Sequence, residues 1–506
     1  FGLSASGGEG GEGGNQIQNG FSTSTIGRGG RGGDATGASV AVVADGGLIS
    51  GDLNLDVRGY AGAGGTDGFD LDGNFTGSAD YGVTQGGSIR LATSEDGLGR
   101  FEIGSAVLEA SGDTAGLIEI FDAATDPEAG MRFDSLAAYA FGQPTGPTPG
   151  FSLTAVANPV VVEGTAEIYA NSIALDFSGS GRLEVGGFAY LSTQNGDLTI
   201  THADNAGVLS LNANSAVEVY ANGNYIADSG SVVASGGYTS IRASGSISAS
   251  DTRSLGNVFM SAQGDTTVGN VTAGENVDIF AGRLDLDGSF GFSPIANATV
   301  TGTVTAGASV SVTSGGFGNF ASGSQVLSDN DITVRTGDDI IVGSGASLVS
   351  AIDPDDQASL YLLAGDINFG PNNGDLIEPI GTPLASLRIA GSLDTNGASL
   401  ILSGDAIDAS ASTISTGNLT VDVTDAPPFG PFSNDGGVLG DLCRQGSACL
   451  GSVRATGTVE MGLNSNNGLI SLRTGAIDFS GDNFEVETLE RLDLNPGNLP
   501  SSLVAG

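Results

Sequence analysis

The chain has 506 residues, of which 85 are Gly, 58 acidic and 16 basic, for a formal net charge of −42 with one His, no Trp and no Lys. This balance excludes nucleic-acid and anionic-membrane binding by phosphate neutralisation, which needs clustered Lys and Arg, and a single His leaves little material for His-built metal or relay sites. Such charge with few aromatics also marks disordered chains, but 39% apolar against 15% charged residues predicts a folded core.

In chain order, residues 1–86 form a Gly-rich segment. Its runs Gly7–Gly14 and Gly29–Gly33 read as loops, and Val40–Val43 and Leu53–Val57 as first strands. The first residue is Phe rather than Met, which predicts a processed product or a piece of something longer. No apolar run reaches the roughly 18 residues of a membrane span. From Gly87 a pattern recurs: a short alternating strand, a Gly, Asn or Asp turn, then another strand. It appears as Gly87–Ala92, Gly196–Ile200, Val217–Ala221, Thr239–Ala243, Val258–Ala262, Val277–Ala281, Leu360–Leu362, Leu400–Leu402 and Leu469–Leu472. Thr239 to Val258, Val258 to Val277 and Leu400 to Leu419 are each 19 residues apart.

A repeat of this length without helical periodicity predicts an all-β solenoid, each coil stacked on the last, with roughly 20 to 25 coils. Val, Ile and Leu point inward, polar residues point outward, and Gly, Asn and Asp turn the corners. The solenoid spans residues 87–480, with loops leaving it near 143–150, 370–383 and 426–450; residues 481–506 read as a cap or junction. For Asp126–Ala140, two readings stay open: a helix with an Asp cap and Pro at its first turn, or an alternating strand carrying Met131, Phe133 and Tyr139.

Few residues suggest site chemistry. Cys443 and Cys449, six apart in a polar stretch, read as a disulfide and hence an oxidising compartment. Metal or redox pairing is the weaker reading, because no second Cys pair or nearby His completes a zinc site. Asp67 and Asp70 lie in a degenerate Gly/Asp calcium-repeat segment. Asp353, Asp355, Asp356 and the Gly337–Asp339 corner offer hard oxygens for loose Ca²⁺ binding, with solvated turns as the simpler reading. No other cofactor is implied. His202 is expected at an outward or corner position with a structural role. Thr299–Thr305 resembles one rung of an ice-binding Thr row, and a β-prone exposed face is the default. Tyr169, Tyr190 and Tyr220 are spaced to share a face, with core or corner packing as the alternative. Chance carboxylate pairs are expected on so acidic a stack and carry no inference.

Units such as Gly196–Thr201 and Ala216–Gly223 resemble the β-helical stalks of bacterial exoproteins of the filamentous-haemagglutinin kind, exported by two-partner secretion. The resemblance covers roughly residues 87 to 480. It implies a right-handed parallel β-helix outside a bacterium, serving as a non-catalytic surface fibre or adhesin. The implied partners are further β-helix coils or identical subunits end to end, and a host or neighbouring-cell glycan or protein, without nucleic acid or membrane insertion. The Asn-Pro-rich secretion signature is not found, since Asn158-Pro159 and Asn495-Pro496 are isolated, and the chain looks like the rod without its secretion apparatus. The alternative is a glycan-binding or polysaccharide-cleaving β-helix, which requires convergent acids and open Tyr platforms.

Overall fold

A computed structural model describes residues 2–4, 34–59, 83–94, 98–114, 116–126, 128–142, 150–203, 208–282, 296–350, 358–365, 385–423 and 448–463, with short strands between 470 and 505. The described residues form strands and no helix, and every strand pairing is parallel, which is the arrangement of a parallel β-helix. The chain divides into two compact units, Phe1–Ser235 and Gly236–Gly506.

Each unit has three β-faces per coil. In the first unit, one face stacks Ser39–Ala44, Ser88–Thr93, Leu117–Asp122, Phe151–Ala155, Ile173–Phe177, Leu198–His202 and Tyr225–Ala227 in register. The third face runs through the second halves of Leu48–Asp56, Arg100–Glu109 and Gly130–Ala140, then Ala166–Ala170, Phe188–Thr193 and Ala216–Ala221. In the second unit, the corresponding face stacks Thr239–Ala243, Val258–Ala262, Val277–Ala281, Val310–Ser314, Ile332–Thr336, Ser359–Ala364, Ser399–Gly404 and Asn418–Val423. Thr239, Val258 and Val277 are aligned at the expected 19-residue spacing. The next aligned pair, Val277 and Val310, is 33 apart because an insertion separates them. Coils therefore exceed the minimal repeat wherever chain is inserted, and the described coils are fewer than the roughly 20 to 25 implied by the shortest spacing.

The segment Asp126–Ala140 resolves in favour of the strand, Gly130–Ala140. Its alternation changes phase at a corner: Met131 and Phe133 are buried, as are Leu136 and Ala138, so Tyr139 points outward. The predicted loop 426–450 ends earlier than expected, since Ala448–Ala455 is a strand. The loop residues 143–149, 370–383 and 426–447 lie outside the described residues.

The core is a set of aligned, mostly apolar columns. Ile118, Phe151, Ile173, Leu198 and Tyr225 stack on one face, none more than 1% exposed. Corners are joined by side-chain amides. The Asn276 N–H and Nδ2 each donate to Asn257 Oδ1 at 3.0 Å, and the Ser309 N–H donates to Asn276 Oδ1 at 3.1 Å. Such bonding occupies backbone N–H groups that leave the β-ladder at each turn. It also explains much of the Gly: a Cβ at Gly302 would lie 2.6 Å from Asn270 Oδ1 of the neighbouring coil, inside van der Waals contact. Gly223, Gly316 and Gly457 face Asp197, Asn297 and Asn418 in the same way.

One core polar atom is unmatched. Tyr225 is 0% exposed, its hydroxyl has no hydrogen-bond partner among the described residues, and burial pushes its phenol pKa up. A buried hydroxyl without a partner costs about 1 to 3 kcal/mol. Tyr225→Phe is therefore expected to raise unfolding stability by about 1 kcal/mol, read as a higher denaturant midpoint at unchanged slope.

Candidate functional site

The most organised surface feature is on the third face of the first unit. Tyr139 and Tyr169 are in register on neighbouring coils, with ring centroids 5.5 Å apart and an interplanar angle of 13°. The next residue in that row is Ser192, followed by Tyr220. Tyr190, two residues before Ser192, lies across the gap left by the small serine: its centroid is 5.0 Å from Tyr169 and 5.5 Å from Tyr220. Phe141 lies 6.2 Å from Tyr139 and 6.0 Å from Tyr169, and Phe188 lies 6.3 Å from Tyr190. The arrangement follows from the strand spacing of ~4.8 Å, which brings outward rings on successive coils to aromatic stacking distance.

Carboxylates border this ladder. Glu109 is in register with Tyr139, while Glu167 and Glu218 flank Tyr190 on the coils to either side. The Tyr139, Tyr169 and Tyr190 phenols are all held above their ordinary pKa, first by burial. The charges of Glu167 and Glu109 add to this at Tyr139; at Tyr169, Tyr190 and Glu167 do so. At Tyr190 the neighbouring Tyr220 also raises the pKa, against a hydrogen bond with Ser192 that lowers it.

Tyrosines and acids thus coincide, the condition set for the glycan reading. Tyr139 and Tyr169 stack nearly parallel, while the Tyr190 ring is tilted by 34° against Tyr169 and by 31° against Tyr220. Glu167 and Glu218 are two coils apart with the Tyr190 strand between them, rather than facing each other across a groove.

The other candidate residues are dispersed. His202 is 1% exposed, which corrects the expected outward position. It continues the inward alternation of Leu198 and Ile200, sits in register with Phe177, and its backbone N–H donates to Asp228 at 3.1 Å. At the Gly337–Asp339 corner, the Asp339 carboxylate accepts the Ser386 N–H and Oγ, both at 2.7 Å, and pairs with Arg388 at 2.9 Å. Its oxygens are engaged by protein donors. Burial, then the Asp339 charge, raises the pKa of neighbouring Asp338.

Thr299 follows Thr267 in register, but the next outward residues are Asn319 and Ile341, so no long Thr row forms. Cys449 is buried within strand Ala448–Ala455. Cys443, Asp67, Asp70, Asp353, Asp355 and Asp356 lie outside the described residues. Among the described residues, no group of three or more His, Cys, Asp or Glu is placed to hold a metal ion, and no helix is long and apolar enough to cross a membrane. A surface depression of about 350 Å³ is lined by Asp394, Asn396, Ser415, Thr416, Arg454 and Thr456.

Sequence reading found three of the four ladder tyrosines as a group. Tyr139 was not grouped with them because the segment Asp126–Ala140 left a helix open, and only as a strand does it place Tyr139 outward in this row. The signal that was present is the outward phase of Leu136–Ala140, which matches that of Ala166–Ala170. No family model, curated protein or solved structure matches the chain.

Proposed function

We propose that the chain is a structural and adhesive segment of an extracellular bacterial surface fibre, of the kind implied by the filamentous-haemagglutinin resemblance. The observation that carries this reading is the continuity of the side-chain ladders within each unit. Core columns and corner amides repeat from coil to coil, and in the first unit the tyrosine ladder adds outward contacts between coils. Parallel ladder hydrogen bonds add mechanical continuity, and the net charge of −42 opposes lateral aggregation of like-charged surfaces.

Local ion pairs leave that acidic character dominant. Arg182 pairs with Glu184 at 2.7 Å and Arg253 with Asp251 at 2.7 Å, each two residues away on its own strand. A surface of this kind suits contact with neighbouring cells through shape and hydrogen bonding rather than by charge attraction to anionic membranes.

The test is immunogold labelling of intact producing cells, combined with incubation of the purified protein with a panel of acidic and neutral polysaccharides. Label on surface fibres with no release of reducing ends is the expected result. Depolymerisation of any polysaccharide, or label confined to the cytoplasm, contradicts the proposal.

A further inference from the structure

We propose that the tyrosine ladder is an oxidative cross-linking site, in which Tyr169 and Tyr190 on neighbouring coils couple through ring carbons into a dityrosine. Four phenols follow one another at centroid separations of 5.5, 5.0 and 5.5 Å, and Tyr169 to Tyr190 is the closest approach. All four are partly exposed, so an oxidant reaches them from solvent, whereas Tyr225 is sealed in the core. The chain has no Trp and only 3 Met to compete for oxidation. Short hops between neighbouring rings let a radical formed on any one of them reach the closest pair. Ser192 is part of this arrangement, because a larger side chain there would keep the Tyr190 ring from lying between Tyr169 and Tyr220.

The chemistry balances with a peroxide as oxidant and a haem peroxidase as its catalyst. Each phenol gives up one electron and its hydroxyl proton. The two radicals join at carbons ortho to oxygen, and rearomatisation moves each ortho hydrogen to its oxygen. The net loss is two electrons and two protons, which hydrogen peroxide takes up to form two waters. Glu167 and Glu218, in register with Tyr190, are local bases for the departing protons. The product is a covalent staple between adjacent coils.

Cleavage after arginine separates the partners, since Tyr139 and Tyr169 fall in peptide 133–182 and Tyr190 and Tyr220 in peptide 183–242. The experiment treats the full chain with a haem peroxidase and hydrogen peroxide over a range of protein concentrations, then follows dityrosine fluorescence and peptide masses. The expected result is the joined peptide pair within single chains, in a yield independent of protein concentration. Tyr190→Phe keeps the stacked ring and is expected to lose the joined pair, with the circular dichroism spectrum unchanged. Persistence of the pair in Tyr190→Phe, coupling only between chains, or no coupling under conditions that couple free N-acetyltyrosine amide would each overturn the proposal.

Discussion

Gly343→Ala is expected to destabilise the second unit by about 2 to 4 kcal/mol, more than a surface glycine has any reason to cost. A Cβ at Gly343 would stand 2.8 Å from Ser322 N, 3.0 Å from Phe320 O and 3.1 Å from the Ala321 carbonyl carbon. All three are backbone atoms of the neighbouring coil, so no side-chain rotation relieves the contact. Nor is the Gly343 backbone free to withdraw. Its N–H donates to Phe320 O at 2.8 Å, and its carbonyl accepts the Ala346 N–H at 3.0 Å. Accommodating one methyl group therefore means loosening the ladder at a corner. Gly47→Ala is the control: nothing lies within 4 Å of its Cβ position, and its change is expected to stay within about 0.5 kcal/mol. Denaturant unfolding of both variants measures the difference, and equal effects would show that coil-to-coil contact is not what selects glycine.

The second large effect concerns Asp122, whose carboxylate is fully buried at the end of Leu117–Asp122. Oδ1 accepts the Thr93 hydroxyl at 2.8 Å and the Ala124 N–H at 3.0 Å, while Oδ2 accepts the Met131 N–H at 3.2 Å. Thr93 Oγ1 in turn accepts the Ala123 N–H at 2.9 Å. Gly130, at φ +106°, completes the site, because a Cβ there would come 2.9 Å from Asp122 Oδ2. Asp122→Ala strands two buried donors, the Thr93 hydroxyl and the Met131 N–H, and leaves the Ala124 N–H only Thr93 Oγ1 at 3.1 Å, for an expected cost of about 3 kcal/mol. Asp122→Asn keeps the bonds at Oδ1 but sets an amide NH₂ against the Met131 N–H, for a loss of about 1 to 2 kcal/mol.

The pH dependence follows from burial, which raises the Asp122 pKa above its ordinary 3.8 against the lowering effect of its hydrogen bonds. The folded state then binds this proton more tightly than the unfolded chain does. The associated stability is fully present below pH 3.8 and is lost as pH rises through the folded value. Asp122→Asn is expected to abolish this component, so the gap between wild type and variant narrows as pH rises across that window. A gap that widens there would contradict the assigned cause.

The fold was legible because its two signals are local and repetitive. Alternation in Val258–Ala262 and Val277–Ala281 gives the inward residues, and their 19-residue spacing gives the stacking register. Both survive insertions, which lengthen a coil without disturbing its strands. What was harder to read depends on phase at strand ends and corners. His202, expected at an outward or corner position, and Asp122 both occupy the inward phase of their strands, after Leu198 and Ile200 in one case and Ile118 and Ile120 in the other, where alternation alone does not separate a polar core residue from the start of a corner. Likewise the ladder rests on Ser192, whose contribution is the absence of bulk and leaves no sequence signature of its own.

Stacked parallel coils underlie every ladder described above, and electron cryomicroscopy of the purified full chain tests that stacking most directly. Within each unit, strands are expected perpendicular to the stacking direction, at a repeat of about 4.8 Å. Antiparallel strand pairing, or strands running along the stacking direction within a unit, would contradict the stacking.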